Sequence, residues 1–471
     1  MNPNRMRPPV GPLGIEMVVS GLHRAGLSAS VIDLSWERKA PLVAIKRAVA
    51  ESIPDAIGVS VRNLDDCYYA SQAFILPVTR RYIREIRKCT NAPVVVGGVG
   101  FSISPAAVLD YLGADYGIKG DGERSFPRLV KALAAGKNPR KIPGLVMQGK
   151  DGPEPALDGF DTYRAPERGS IKLGKYFHLG GQANIETSRG CNRKCVYCAD
   201  PVAKGKKVRY RDPEAVAEEM EKLLELGANV FHTCDSEFNL SRGHVERVCR
   251  AIIKAGLPEK SVSWYAYCLP KPMDNDLAAL MARAGCKGID FAVDAADDRM
   301  LDALGRDFCL EDVEKAAKAM KRAGIPHMFD LLLGGPGETE KTLKKTVDRM
   351  KKIRPDRVGV SFGMRLFRGT RVAEQIIKEG PLSENPCIKG VIEKNDSMLR
   401  PVYYLSERMG KSPEAYLKKL IDDDPIFLFA SRDDLDRNYN YNDNRPLCEA
   451  IRGGERGAYW DILRRSSGER S

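Results

Sequence analysis

The chain has 471 residues, 43% hydrophobic and 29% charged, with a formal net charge of +12 at pH 7. That composition excludes a disordered or fibrous protein, and at roughly 150 residues per domain the length exceeds one ordinary core. No apolar run reaches membrane-spanning length, and the opening Met1-Asn2-Pro3-Asn4-Arg5-Met6 lacks the apolar core of a secretory signal. A cytoplasmic protein is therefore expected, with reduced cysteines free for metal. The excess cations are interleaved with Asp and Glu, and basic clusters such as Lys204-Gly205-Lys206-Lys207 and Lys351-Lys352 are short. They read as solvated surface, and no nucleic-acid partner is expected.

From Pro12 to about residue 147, amphipathic helices alternate with short apolar strands, the grammar of a doubly wound α/β domain spanning residues 1–148. Strands are predicted over Ala29–Leu34, Ala56–Val61, Pro93–Val96 and Tyr116–Ile118, with helices over 13–24, 42–52, 73–88 and 104–112. Ligands of an open parallel sheet lie beyond the carboxyl ends of its strands. The sequence there is Ser60-Val61-Arg62-Asn63, Gly97-Gly98-Val99-Gly100 and Lys119-Gly120-Asp121-Gly122-Glu123. A Gly-, Pro- and Asp-rich stretch, 149–180, reads as linker.

A second βα series fills residues 181–380. Its strands are Ala183–Thr187, Val230–Thr233, Val262–Tyr267, Gly288–Val293, His327–Leu333 and Arg357–Gly363, which predicts a partial (β/α)6 barrel. Residues 381–471 read as a small mixed, α-rich extension. It carries the acidic turn Asp422-Asp423-Asp424, an Asn and Tyr cluster from Asn438 to Asn444, and Tyr459-Trp460, which are expected to pack under the barrel.

Most of the 12 cysteines are isolated, and Cys89, Cys249, Cys286 and Cys309 read as small buried hydrophobes. Three are not: Glu186-Thr-Ser-Arg-Gly-Cys191-Asn-Arg-Lys-Cys195-Val-Tyr-Cys198 gathers three thiols in a Gly-led loop directly after a strand. Three thiolates can wrap one face of a four-iron, four-sulfur cube and leave the fourth iron without a protein ligand. A structural zinc site usually needs four ligands, and Cys234 and Cys268 lie on later strands without a paired spacing.

With Tyr197 before its last cysteine, this motif resembles the signature of the radical S-adenosylmethionine superfamily, and the resemblance runs from about Gln182 to Thr370. It implies that Cys191, Cys195 and Cys198 hold a [4Fe-4S] cluster whose open iron is chelated by S-adenosylmethionine. One electron, from a donor such as flavodoxin or ferredoxin, then yields methionine and a 5′-deoxyadenosyl radical. In Cys234-Asp235-Ser236-Glu237-Phe238-Asn239, related enzymes place polar groups toward the methionyl amine, which favours Asp235 and Asn239; a capped turn is the competing reading. The last acid of Gly288-Ile-Asp-Phe-Ala-Val-Asp294 resembles the one meeting the ribose, which favours Asp294 over Asp290. The turn Asp330-Leu-Leu-Leu-Gly-Gly-Pro-Gly-Glu338 resembles the one beneath adenine, where Glu338 either meets the cofactor or favours a helix start.

The first domain resembles the cobalamin-binding domain preceding such barrels in a large subfamily, chiefly methyltransferases. The resemblance rests on Pro8-Pro9-Val10-Gly11-Pro12-Leu13-Gly14, on Gly97 and Gly98, and on Gly120 and Gly122 with Asp121 and Glu123. Its only histidine, His23, falls inside a helix, so a corrinoid there would lack a histidine ligand. Met1-Asn-Pro-Asn matches the end of the family's first strand without its apolar body. Either the true start lies upstream or the sheet lacks a usually central member.

The function expected is a cobalamin-dependent radical methyltransferase acting on an unactivated carbon or a phosphorus centre of a small-molecule, lipid or peptide substrate. The alternatives are a radical rearrangement, coupling or oxidation without a working corrinoid, and a non-enzymatic corrinoid or iron-sulfur carrier. A methylthiotransferase would need three further cysteines upstream, where only Cys67 and Cys89 occur. Anoxic reconstitution should load about four irons per chain. Cys191→Ala, Cys195→Ala or Cys198→Ala should each abolish reductive cleavage of S-adenosylmethionine, while Cys249→Ala and Cys286→Ala keep it; full activity in Cys195→Ala would remove the assignment.

Overall fold

Two large sheets carry the fold, the first parallel over three of its five strands and the second parallel throughout, and the strands of both are rich in buried apolar residues. The computed structural model describes residues 1–148, 150–151, 153–155, 165–431 and 443–466. Parts of the expected linker and most of the cluster from Asn438 lie outside them.

In the first sheet, β1 (Ile57–Ser60), β2 (Val94–Gly97) and β3 (Tyr116–Ile118) run parallel, and the short strands Leu145–Met147 and Lys150–Asp151 extend it antiparallel. Alternate residues of β2 serve two cores. Val94 and Val96 pack with Ile45, Ile83 and Leu109, whereas Val95 packs with Leu22, Phe126 and Leu129.

The slot without an apolar strand is held by Met1 and Asn2. The Met1 amino group donates to Gly58 O (2.5 Å), and Ser60 N donates to Met1 O (3.1 Å). On the other side Asn2 N donates to Ile32 O (2.8 Å) and Leu34 N to Asn2 O (3.0 Å). Met1 and Asn2 thus link β1 to the Ile32–Leu34 segment by backbone hydrogen bonds. The strand expected over Ala29–Leu34 is a single bridge, Asn2 with Asp33. A helix absent from the expectation, Gly122–Ala134, follows β3. Its opening glycine and internal Pro127 hide it in the sequence. A proline leaves the carbonyl four residues earlier without its helical bond; that carbonyl, of Glu123, abuts Gly21, 2.1 Å from where a Cβ would stand.

The second sheet contains β4 (Ala183–Ile185), β5 (Val230–Thr233), β6 (Ser263–Cys268), β7 (Cys286–Asp294), β8 (His327–Leu333) and β9 (Arg357–Phe362) side by side in chain order. All six expected strands are present. A seventh, β10 (Phe427–Phe429), pairs parallel with β9 and comes from the C-terminal extension. That extension also contributes the strand Val402–Tyr404, which pairs antiparallel with Met364–Arg365 on one side and with Ile388–Gly390 on the other, so it is less purely helical than expected. Helices start where the sequence supplies caps: Asp212, Ser241, Asp274, Asp297 and Thr339 each accept a backbone N–H of the first turn.

Phe231, Trp264, Phe291 and Phe329 face the main core, while Val230, Tyr265 and Met328 pack with Trp460 in a separate cluster inside the barrel. Trp460 is buried, and Gly288 is glycine because a Cβ there would lie 2.7 Å from Tyr265 and 3.0 Å from Trp460. These residues floor the lumen. Trp460→Ala should lower barrel stability by about 3–5 kcal/mol, seen as a lower midpoint of the barrel's unfolding transition; an unchanged midpoint would show that the floor is not a packed part of the core.

Candidate active site

The loop after β4 is shaped by one strained position. Gly190 has φ +94°, and a Cβ there would stand 2.3 Å from Lys207 O. Ser188–Arg189 pairs with Arg209–Tyr210, Cys191 N donates to Gly205 O (3.1 Å), and Val196 N donates to Leu304 O (3.0 Å). This frame places Cys191 buried and Cys195 and Cys198 half-buried. Burial pushes all three thiols up, Cys195 to about 11, so metal binding there must displace protons. Among the described residues no three His, Cys, Asp or Glu side chains gather around one point as a single ion requires. Thiolates sharing one zinc would stand about 3.8 Å apart, whereas a cube takes each cysteine on a different iron.

Arg306, which no sequence signal singled out, reaches Cys195. Its Nη1 donates to Cys195 Sγ (3.3 Å), its Nη2 to Tyr197 Oη (2.8 Å) and its Nε to Asp294 Oδ2 (2.5 Å), which also accepts from Tyr197 Oη (2.6 Å). Asp294, at φ +66° where β7 bulges against β8, thus braces the cysteine loop.

Asp235 is tied to the end of β4. Its carboxylate accepts Thr187 N (2.7 Å), Ser188 N (2.8 Å) and Thr187 Oγ1 (2.6 Å), and His244 Nε2 lies 3.1 Å from that hydroxyl. Burial nevertheless raises it to about 6. Asn239 engages both ends of its amide with Leu269, donating to its O (2.7 Å) and accepting from its N (2.8 Å). The turn-holding reading of this segment fits both. Between them Glu237 differs: its Oε2 is sealed from water without a hydrogen-bond partner, and burial pushes it up to about 8. Asp235 and Asn239 are thus engaged with backbone groups, while Glu237 keeps a buried oxygen uncommitted. Glu338 accepts Thr342 Oγ1 (2.6 Å), is raised to about 7 by burial, and keeps Oε2 without a partner.

Two residues along from the floor, on the same strand faces, stand His232, Tyr267, Asp290 and Asp330. Burial and the neighbouring Asp330 drive Asp290 well up, and burial lowers His232 to about 4, so this layer is polar yet carries little charge.

At the first sheet, Gly98 (φ +105°) is required by the chain itself, since a Cβ would meet Val61 O at 2.7 Å. A Cβ on Gly120 would meet Pro155 at 2.9 Å, and one on Gly122 would meet Val18 at 3.2 Å. Gly97 alone of the four would tolerate one, with Ile118 O at 3.4 Å. Local packing accounts for three of them without a ligand. Asp121 and Glu123 are likewise engaged, with Arg189 (2.9 and 2.6 Å). No helix among the described residues is long and apolar enough to cross a membrane.

Residues 185–350 match the model of the radical SAM superfamily, and residues 6–130 that of the B12 binding domain. The chain is 32% identical to the tryptophan 2-C-methyltransferase of Streptomyces laurentii, over 80% of this chain and 74% of that one. It belongs to the cobalamin-dependent radical SAM methyltransferases. The solved structure of one of them, TsrM from Kitasatospora setae with tryptophan and an S-adenosylmethionine analogue, is 28% identical and superposes with a TM-score of 0.91, covering 99% of this chain and 97% of that one. The cobalamin-dependent enzyme OxsB, 18% identical over 88% of this chain and 64% of its own, shares the fold (TM-score 0.67). The cofactors of this family are cobalamin, a [4Fe-4S] cluster and S-adenosylmethionine. The half-buried thiol loop beside a guanidinium and a sealed carboxylate oxygen fits the cluster and its ligand, and the carboxyl edge of the first sheet, open at Gly97, fits a corrinoid.

In a methyltransferase of this family, Asp235→Asn should keep iron and S-adenosylmethionine binding, because an amide can still accept the two N–H groups and donate to Thr187. Asp235→Ala should lose iron, since it leaves buried donors unmet at about 1–3 kcal/mol each. Iron assay and equilibrium dialysis of the two variants check this; loss of S-adenosylmethionine binding in the Asn variant would assign Asp235 to the cofactor instead.

Proposed function

We propose that this enzyme transfers the methyl group of S-adenosylmethionine to an aromatic carbon of tryptophan or a closely similar indole amino acid, with Cys191, Cys195 and Cys198 as the cluster ligands. One observation carries the substrate class: the likeness to a tryptophan-bound methyltransferase extends over 99% of this chain and 97% of the other. When bound, the corrinoid supplies the methyl carrier and the cluster the electron-transfer centre that holds S-adenosylmethionine. The methyl transfer itself is redox-neutral, and an electron donor such as flavodoxin or ferredoxin in the cytoplasm would serve to return the corrinoid and the cluster to their reduced states.

The chain's own residues position and insulate. Arg306, Asp294 and Tyr197 fix Cys195, and the floor of Tyr265 and Trp460 keeps water from entering the lumen beneath the reactants. Above the floor, burial and the neighbouring Asp330 hold the Asp290 carboxyl well above its usual range; with His232 and Tyr267 these carboxyls offer hydrogen bonds to an amino acid's polar end. An indole carbon is itself nucleophilic, so methylation there does not require prior loss of a hydrogen atom, as an unactivated carbon does.

Enzyme loaded with iron and hydroxocobalamin, given tryptophan and S-adenosylmethionine with a deuterated methyl group, should yield ring-methylated, labelled tryptophan and S-adenosylhomocysteine. 5′-Deoxyadenosine in step with product would move the acceptor to an unactivated carbon. No label in tryptophan or its indole analogues, with both cofactors retained, would overturn the substrate class.

A further inference from the structure

Arg189 stands immediately before Gly190 and Cys191, so its placement sets where the cluster loop begins. Its guanidinium is nearly sealed from water, and it is divided between the two domains. Nη1 reaches Asp121 (2.9 Å) in the loop leaving β3 and Glu123 (2.6 Å) in the first turn of the helix that follows, while Nε (3.0 Å) and Nη2 (2.8 Å) clasp Glu186 at the end of β4. Nη2 also touches Met17 Sδ (2.9 Å) of the first helix. Arg209, on the strand paired with Arg189, binds the second oxygen of Asp121 and donates to Lys204 O (2.9 Å).

Neither side of this junction is slack. The Glu123 carbonyl is wedged against Gly21, a Cβ on Gly122 would meet Val18 at 3.2 Å, and Gly120 N is held by Ser102 Oγ (2.9 Å). Across the junction, Gly190 is pressed on Lys207 O and Cys191 N is bonded to Gly205 O. The loop leaving β3 lies at the carboxyl edge of the first sheet, where an open parallel sheet meets its ligand. Among the described residues these close contacts give a displacement of that loop a direct path to Arg189.

We propose that Arg189 is a positioning residue that couples corrinoid binding in the first domain to S-adenosylmethionine binding at the cluster loop. The proposal rests on the corrinoid and cluster assignments above. Coupling of this kind is reciprocal: whatever factor the corrinoid applies to S-adenosylmethionine affinity, S-adenosylmethionine applies to the corrinoid.

The test compares wild type with two single variants, one on each side of the junction, in cluster-loaded, full-length protein. S-adenosylmethionine affinity is measured by titration calorimetry with and without bound hydroxocobalamin, in wild type, Arg189→Lys and Asp121→Asn. Lysine keeps the charge but not the fork, and Asp121→Asn weakens the same junction from the first domain, at the acid that meets both Arg189 and Arg209. In wild type the corrinoid should change the affinity about fivefold or more; in both variants the factor should fall toward one, while iron content and each ligand's separate binding persist. The reduced-cluster and cob(II)alamin resonances should also lose their mutual broadening in Arg189→Lys, a change that mere loss of stability would not produce. An undiminished factor in both variants, or none in wild type that retains its corrinoid, overturns the proposal. Failure of wild type to retain corrinoid through desalting is a distinct result that removes the corrinoid assignment and this proposal with it.

Discussion

Charge sealed from water at the seam between the two domains constrains everything above it. Arg168 lies between Glu16 (3.3 Å) and Glu219 (3.4 Å), Glu219 also takes Arg211 (2.7 Å), and Arg365 takes Asp65 (2.8 Å), all buried. Apolar burial is non-directional, and two greasy faces can slide. Buried ion pairs cannot, because a small shift leaves a desolvated charge unmatched. Directionality suits an enzyme whose two cofactors, bound by different domains, must meet at one distance. The same burial has a cost in the acids themselves: Glu16 is pushed up to about 7 by desolvation, although Arg168 opposes the shift.

At the barrel mouth the low dielectric acts differently. Glu237, Asp290 and Glu338 are all raised mainly by burial, so they are proton-holding groups in a dry site rather than a ring of fixed negative charge. A cation entering among them would find acceptors whose ionisation it induces. A fixed charge set would instead have repelled the cluster's own thiolates.

Much of this was legible in the sequence, for reasons that differ by element. The barrel strands announce themselves because each is a continuous apolar run between capped helices, and the cysteine loop because its spacing is rare. What escaped was short, interrupted or long-range. Phe427–Phe429 is too brief to show a period, and Gly122–Ala134 carries a glycine and a proline that speak against a helix. Asp235 and Glu237 sit two apart in one acidic turn, and only the fold decides which one is spent on backbone amides. Arg306 and Arg189 look like two more surface cations among 75 basic residues, since nothing local shows that each is reserved for a partner on another element.

The tryptophan beneath the barrel also decides traffic. With Trp460, Tyr265 and Met328 filling one end of the lumen, the described residues leave the opposite end, beside the cysteine loop and the first domain, as the side from which molecules come and go. A corrinoid settled there becomes part of the doorway. Reactants smaller than the corrinoid must then load past it or before it, and spent product and spent cosubstrate queue for the same exit.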